Sequence, residues 1–506
     1  LRAYAFDPSL STRSDTLGIN EVTLSVRWEK DELQPGPVGE YVAVIDHDPA
    51  SDCFYDPVNL NDPYLLAQDG VPPSEGNPHF HQQMAYVVAM RTIEHFERAL
   101  GRPAFWAPRP LQAEERRLPV AKRMEAEYTQ RLRIYPHALR QANAFYSPAR
   151  VALLLGYFSD EGSASGEEFP GGLVFTCLSH DIIAHETTHA LLDGMHRRFR
   201  EATNVDVPAL HEAFADIVAL FQHFAIPDVL KHQIARTRGD LSKQNLLGEL
   251  ARQMGRATGK RGALRDAINT EVDPTVLDRV SEPHKRGAIL VAAVFDAWLD
   301  IYKRRIGDLL RIATGGTGRL PEGEIHPDLV NRLAGEAAST AEHVLNMCIR
   351  ALDYCPPVDV TFGEYLRAIV TADFDLVKED RRNYRVSFVD AFRRRGIYPS
   401  GVRTLSVETL LWNRMPPKAP PQFSRIFTSL RRWAADCVYW QQDRRLLYVK
   451  TGEQRAELHR LIGELIDKDN AFAAELGIDA QIRREDGRIR FEVHSVRRAE
   501  RTGPDR

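Results

Sequence analysis

Residues 181–194 read DIIAHETTHALLDG, and within this stretch His185 and His189 stand four positions apart. On a helix that spacing stacks both imidazoles on one face, where they can share a single metal ion. Glu186 follows the first histidine directly, so its carboxylate lies beside an open coordination position and outside the ligand set. A base must stand there to take a proton from a water in that position. Farther along, Leu210-His211-Glu212-Ala213-Phe214-Ala215-Asp216-Ile217-Val218 reads as a second helix. Its apolar stripe is Leu210, Ala213, Phe214, Ile217, Val218, Phe221 and Phe224. Glu212 and Asp216 are again four apart and share a face. Glu212 can complete a His-His-Glu set that leaves the fourth position to water. Asp216 can accept the remaining ring N–H of His185, which fixes that ring's tautomer and raises its basicity. Two acids on the margin of so apolar a helix are hard to explain as surface decoration.

The rest of the composition agrees with an enzyme. At 506 residues the chain is too long for one core, so two or three domains are expected. A net charge of -4 argues against a dedicated nucleic-acid or membrane-surface binder. No apolar run approaches the roughly 20 residues needed to span a bilayer. The five cysteines, Cys53, Cys177, Cys348, Cys355 and Cys437, are odd in number and far apart. They do not form a disulfide framework, lack paired CxxC spacing, and point to a reducing, cytoplasmic compartment. Cys177, just ahead of the first metal helix, reads as a buried, unreactive thiol.

Four regions are expected: a strand-rich segment over 1–75, an α/β lobe over 76–200, a helical lobe over 201–398 and a C-terminal α+β region over 399–506. Strands are expected over 1–6, 21–28 and 41–45. A helix is expected over 81–100, then a charged, helical connector, then a strand within 146–158. Helical periodicity marks 181–196, 208–224, 284–313, 328–352 and 361–395. Near the end, QIRREDGRIRFEV signals a hairpin turning at Asp486-Gly487.

With these residues in place, the sequence resembles the thermolysin family of gluzincin metallopeptidases. That family pairs HExxH on one helix with Glu-Ala-x-x-Asp on the next, and this chain reads Glu212-Ala213-Phe214-Ala215-Asp216. Asp181 and Asp193 also sit where the family places acids. Asn143-Ala144-Phe145-Tyr146 resembles a segment that holds an extended substrate like an added strand. Ala263-Leu264-Arg265 resembles the segment whose arginine binds a substrate carbonyl. Pro283-His284 resembles the one whose histidine stabilises the oxyanion. The similarity spans about residues 76–398.

The resemblance implies an α+β, two-lobed thermolysin-like core with a β-rich N-terminal addition. It implies one Zn²⁺ per chain, bound by His185, His189 and Glu212, and a supporting role for Asp216 and Asp181. The implied reaction is hydrolysis of internal peptide bonds, with Glu186 as general base and Arg265 and His284 stabilising developing charge. Substrate contacts fall to Asn143, Ala144, Ile182 and Leu264; the last two imply a preference for a hydrophobic residue just after the scissile bond. The partner is then a protein or peptide substrate, with neither nucleic acid nor membrane involved. A zinc aminopeptidase is an alternative, although no Gly-x-Met-x-Asn type segment precedes the motif. A catalytically weak peptide-binding scaffold is another. Three departures stand out: no tyrosine occurs from Ala190 to His211, His211 replaces the usual asparagine before Glu212, and Gln222 and His223 stand where a calcium-binding glutamate is usual. Calcium is therefore not expected to be required.

Overall fold

The computed structural model describes residues 1–29, 33–159, 172–242, 272–413, 420–501 and 503. The chain is α+β and divides into two compact units. The first comprises Leu1–Leu100, Arg131–Trp412 and Arg501–Arg506; the second comprises Gly101–Gln130 and Asn413–Glu500.

In the first unit, β1 (Arg2–Tyr4) pairs antiparallel with β2 (Glu21–Thr23). The main sheet has the order β3 (Val42–Val44), β6 (Leu132–Leu139), β8 (Ala152–Ser159), β7 (Ala144–Ser147), with β9 (Leu173–Phe175) also on β8. A short ladder joins β4 (His47–Asp48) to β5 (Cys53–Phe54). The β3–β6 and β6–β8 pairs are parallel, and β7 and β9 run antiparallel to β8. Ala152, Leu153, Leu154 and Leu155 are all buried, as a central strand covered on both faces requires. β7 pairs only with β8 among the described residues, so it is an edge.

The N-terminal 75 residues are part of this unit and not a separate layer. Helix α1 (Pro78–Leu100) buries Gln82 and Gln83 completely. Gln82 accepts the Val58 N–H at 2.8 Å and donates to Asp46 at 2.9 Å; Gln83 accepts the Val71 N–H at 2.8 Å and donates to the Arg2 carbonyl at 2.9 Å. Loop backbone buried against a helix needs such partners, and the two amides supply them.

Two sequence expectations change here. The helical connector also contains β6, whose Pro136 disguised it: proline removes a ladder donor, and the β6–β8 register shifts between Tyr135 and Leu139. The single strand within 146–158 is a β7–β8 hairpin. Gly156 is required at its base, because a Cβ there would lie 2.3 Å from the Gln141 carbonyl and 2.5 Å from that of Asn143.

Besides α1, the helices of this unit that the site and its core rest on include α2 (His180–Met195), α3 (Asp206–His223), α4 (Pro283–Ala313), α5 (Pro327–Ala351), α6 (Phe362–Leu376) and α7 (Tyr384–Arg394). The run expected over 361–395 breaks between α6 and α7. Asp380 accepts the Tyr384 and Arg385 N–H groups, Asn383 takes a left-handed φ of 58°, and buried Arg385 pairs with Asp373 at 2.8 Å. Phe214 of α3 meets Phe96 and Tyr365 edge-on, which places α3 in the centre of the core. Among the described residues no single helix is long and apolar enough to cross a membrane.

The second unit is helical, with Val120–Glu127, Pro421–Asp436, Arg444–Lys468 and Ala471–Glu475 around a core that includes Trp433, Leu461, Ile466 and Phe472. The expected hairpin is reduced to a turn with Gly487 at φ 80° and one bridge, Arg483 to Ile489. Residues 481–488 are all exposed, so the first strand of the expected ribbon buries nothing that would hold it in a ladder.

Candidate metal centre

Helix α2 starts on Ser179, whose side chain accepts the Ile182 N–H at 3.5 Å, and it buries His185 and Glu186. Helix α3 starts where Asn204 Oδ1 accepts the N–H groups of Asp206 at 2.7 Å and Val207 at 3.1 Å. Packed together, the two helices bring His185, His189 and Glu212 to one point. His185 Nε2 and His189 Nε2 are 2.9 Å apart, and Glu212 Oε2 lies 3.4 Å from the first and 3.6 Å from the second. A tetrahedral ion with bonds of about 2.0–2.1 Å sets its donors about 3.3–3.4 Å apart, so this triangle has the right size.

The hydrogen bonds behind the rings orient them for that role. His185 Nδ1 donates to Asp216 Oδ1 at 2.9 Å, since a carboxylate only accepts, and Nε2 therefore presents its lone pair. His189 Nδ1 meets His211 Nδ1 at 2.7 Å. With His189 donating across that bond, its Nε2 lone pair also faces the triangle. Burial, reinforced by neighbouring His189, pushes the His211 pKa down to about 3, so His211 stays neutral and able to accept.

The charges favour a cation. Burial alone would lower the His185 pKa, yet Asp216 and Glu212 outweigh it and hold it well above the ordinary imidazole value. Burial would likewise raise the Glu212 pKa, but hydrogen bonds from His185 and His189 hold it below the usual range. A metal ion bound by the two imidazoles would meet the same carboxylates in place of a proton.

Glu186 stands beside the triangle, buried, with Oε2 accepting the Tyr146 N–H of β7 at 2.7 Å. Burial raises its pKa above that of an ordinary carboxylate, against the pull of His189 and His185. The same tyrosine donates its hydroxyl to Asp193 Oδ2 at 2.9 Å, which ties β7 to both the middle and the C-terminal turn of α2. Opposite, Glu282 caps α4 by accepting the N–H groups of His284 at 3.3 Å and Lys285 at 2.8 Å, with Pro283 in the first turn. His284 Nδ1 reaches within 3.4 Å of Glu212 Oε2, with its side chain 39% exposed. Gly287 permits this approach: a Cβ there would lie 2.9 Å from the Ala209 carbonyl of α3.

Of the residues read from the sequence, His185, His189, Glu212, Glu186, Asp216 and His284 converge. Asn143 lies exposed ahead of β7 and accepts the Ala144 N–H at 3.0 Å. Ile182 is buried in the first turn of α2. Asp181 pairs with His223 and not with either metal-facing ring, because it lies on the face of α2 toward the end of α3. Gln222, beside it, donates to Thr92 Oγ1 at 3.0 Å. Leu264 and Arg265 fall outside the described residues. Sequence reasoning missed His211 as the partner of His189; its place directly before Glu212 was the available signal. It also missed the backbone of Tyr146, which carries no side-chain signature. No family model and no curated protein matches this chain.

Proposed function

We propose that this chain is a zinc-dependent endopeptidase with a thermolysin-like arrangement, α2 and the sheet on one side of the cleft and α3 and α4 on the other. The observation that carries the reading is the His185–His189–Glu212 triangle with Glu186 beside it, hydrogen-bonded to the backbone of an edge strand. A zinc ion held by these three residues would act as a Lewis acid on a peptide carbonyl and acidify a water at the same place. Glu186 takes the proton and later hands it to the departing amine, a role suited to a carboxylate whose pKa burial has raised. His284 donates to the charge that develops on the carbonyl oxygen. β7 has a free edge among the described residues, and an extended peptide can add to it as a further strand. The preference for a hydrophobic residue just after the scissile bond, about 1–3 kcal/mol over small or charged ones, rests on Ile182 and Leu264 by resemblance.

The test is turnover of a denatured protein and of a peptide library with blocked N-termini, with and without a chelator. Internal cleavage that the chelator abolishes is the expected result. Cleavage only of free N-termini would make the chain an aminopeptidase, and binding without cleavage would make it a scaffold.

A further inference from the structure

We propose that His81, His137 and Cys177 form a second, buried metal site, which takes a zinc-class ion through two imidazoles and one thiolate. It is separate from the His185–His189–Glu212 centre and does not depend on peptidase activity.

The donor atoms of the three residues lie within 4.8 Å of one another, and all three residues are buried. Each comes from a different element. His81 is in the first turn of α1, His137 is on β6, and Cys177 is in the turn over Thr176–Leu178 that leads into α2. The β6 irregularity after Tyr135 is what turns His137 inward, since Pro136 and His137 are both buried where strict alternation would expose one of them. Thr176 fixes the turn, exchanging hydrogen bonds of 2.9 Å with both the N–H and the carbonyl of Gly156.

Tautomer bookkeeping carries the inference. His137 Nδ1 lies 2.6 Å from Asp46 Oδ1, and a carboxylate only accepts, so this nitrogen bears the hydrogen. His81 Nε2 lies 2.9 Å from the Glu75 carbonyl, which also only accepts, so this nitrogen bears the hydrogen too. In the neutral rings, the remaining nitrogens, His81 Nδ1 and His137 Nε2, are therefore both acceptors, and they face each other at 2.8 Å. Two lone pairs at that distance repel unless something electrophilic joins them. A shared extra proton could do so, but it would leave the converging Cys177 without a role. A metal ion uses all three donors. Histidines that bind metals commonly donate their other N–H to a carboxylate or a backbone carbonyl, and these two do one of each.

Two imidazoles and a thiolate form a borderline-soft set, suited to zinc and unsuited to calcium or magnesium. Phe175, Tyr55 and Tyr157 ring His137 at centroid distances of 5.5, 5.0 and 6.0 Å and shield it. Binding converts the Cys177 thiol to thiolate, and its proton leaves to solvent. The bound ion ties α1, the sheet and the lead-in to α2 together.

The test uses the full chain with His189→Ala, which removes a ligand of the other centre. Elemental analysis should still find about one zinc per chain. X-ray absorption at the zinc edge should show one sulfur at about 2.3 Å among nitrogens at about 2.0–2.1 Å. After exchange into cobalt, thiolate-to-cobalt charge-transfer absorption should appear in the wild type and in His189→Ala and vanish in Cys177→Ser, while Cys53→Ser retains it. A zinc-free His189→Ala protein, a zinc shell without sulfur, or a band that survives Cys177→Ser would overturn the site. Should Cys177→Ser fail to fold, the sulfur scatterer in His189→Ala decides alone.

Discussion

Around His185 and His189 the third donor is a carboxylate, and the neighbouring His284 side chain is 39% exposed. Around His81 and His137 the third donor is a thiol, and none of the three residues is more than 2% exposed. Both pairs turn ring lone pairs toward each other at 2.8–2.9 Å, and both have an aspartate behind one ring, Asp216 or Asp46. They differ in what surrounds them. The first has a buried carboxylate, Glu186, beside the donors and, among the described residues, a strand edge that pairs on one side only. The second is ringed by aromatic side chains. Orienting histidines is thus common to both, while on the proposed readings access and a base would make the first catalytic and enclosure would make the second structural.

The sharpest test of that contrast is Glu186→Gln. It should lower kcat by about 10²–10⁴-fold, the usual range for losing a general base, while zinc content and circular dichroism stay unchanged. Loss of zinc from the folded variant would place Glu186 in the ligand set. Next is His284→Ala, expected to reduce kcat about a hundredfold or more with KM and zinc retained, since one such donor is worth about 2.7–4 kcal/mol. A near-normal kcat would leave His284 as a capped helix residue only.

The two centres can then be set against each other through their aspartates. Asp216→Asn should weaken metal binding at the first centre about 10–100-fold, and Asp46→Asn should do the same at the second alone. Competition with a calibrated chelator reads both; an effect of Asp46→Asn on the first centre would end the separation. A smaller effect is expected from Gly287→Ala, which pushes α4 off α3 at a cost of about 1–3 kcal/mol in denaturant unfolding. A variant as stable as the parent would show that α4 can shift without strain. The smallest concerns calcium. Its selective withdrawal should leave Tm unchanged, because Gln222 is hydrogen-bonded to Thr92 and His223 pairs with Asp181. A large fall in Tm would show a calcium site that these residues do not account for.

How much could be read ahead depended on how local each pattern was. The helices around His185 and Glu212 declared themselves, because a four-residue spacing on a helix sets side-chain direction without help from the rest of the chain. The same holds for α1, α4 and α5, whose observed ends fall within three residues of those expected. β6 was hidden by Pro136, whose missing N–H is tolerated only because the ladder bends there. The division into units was also hidden. Nothing in Gly101–Gln130 announces that it joins residues more than 280 positions later.

From the sequence alone, one can determine that His185 and His189 share a face, that Glu186 stands outside their ligand set, and that Glu212 and Asp216 can serve the same point. Each follows from helical periodicity, a property of a few consecutive residues. Only the tertiary structure decided that His211 backs His189, that the Tyr146 backbone holds Glu186, that Asp181 turns away to His223, and that His81, His137 and Cys177 meet at all. Those contacts span 22 to 56 positions for the hydrogen-bonded pairs. They exist because separate helices and strands bury one another, and no spacing rule within any single element encodes where another element will lie.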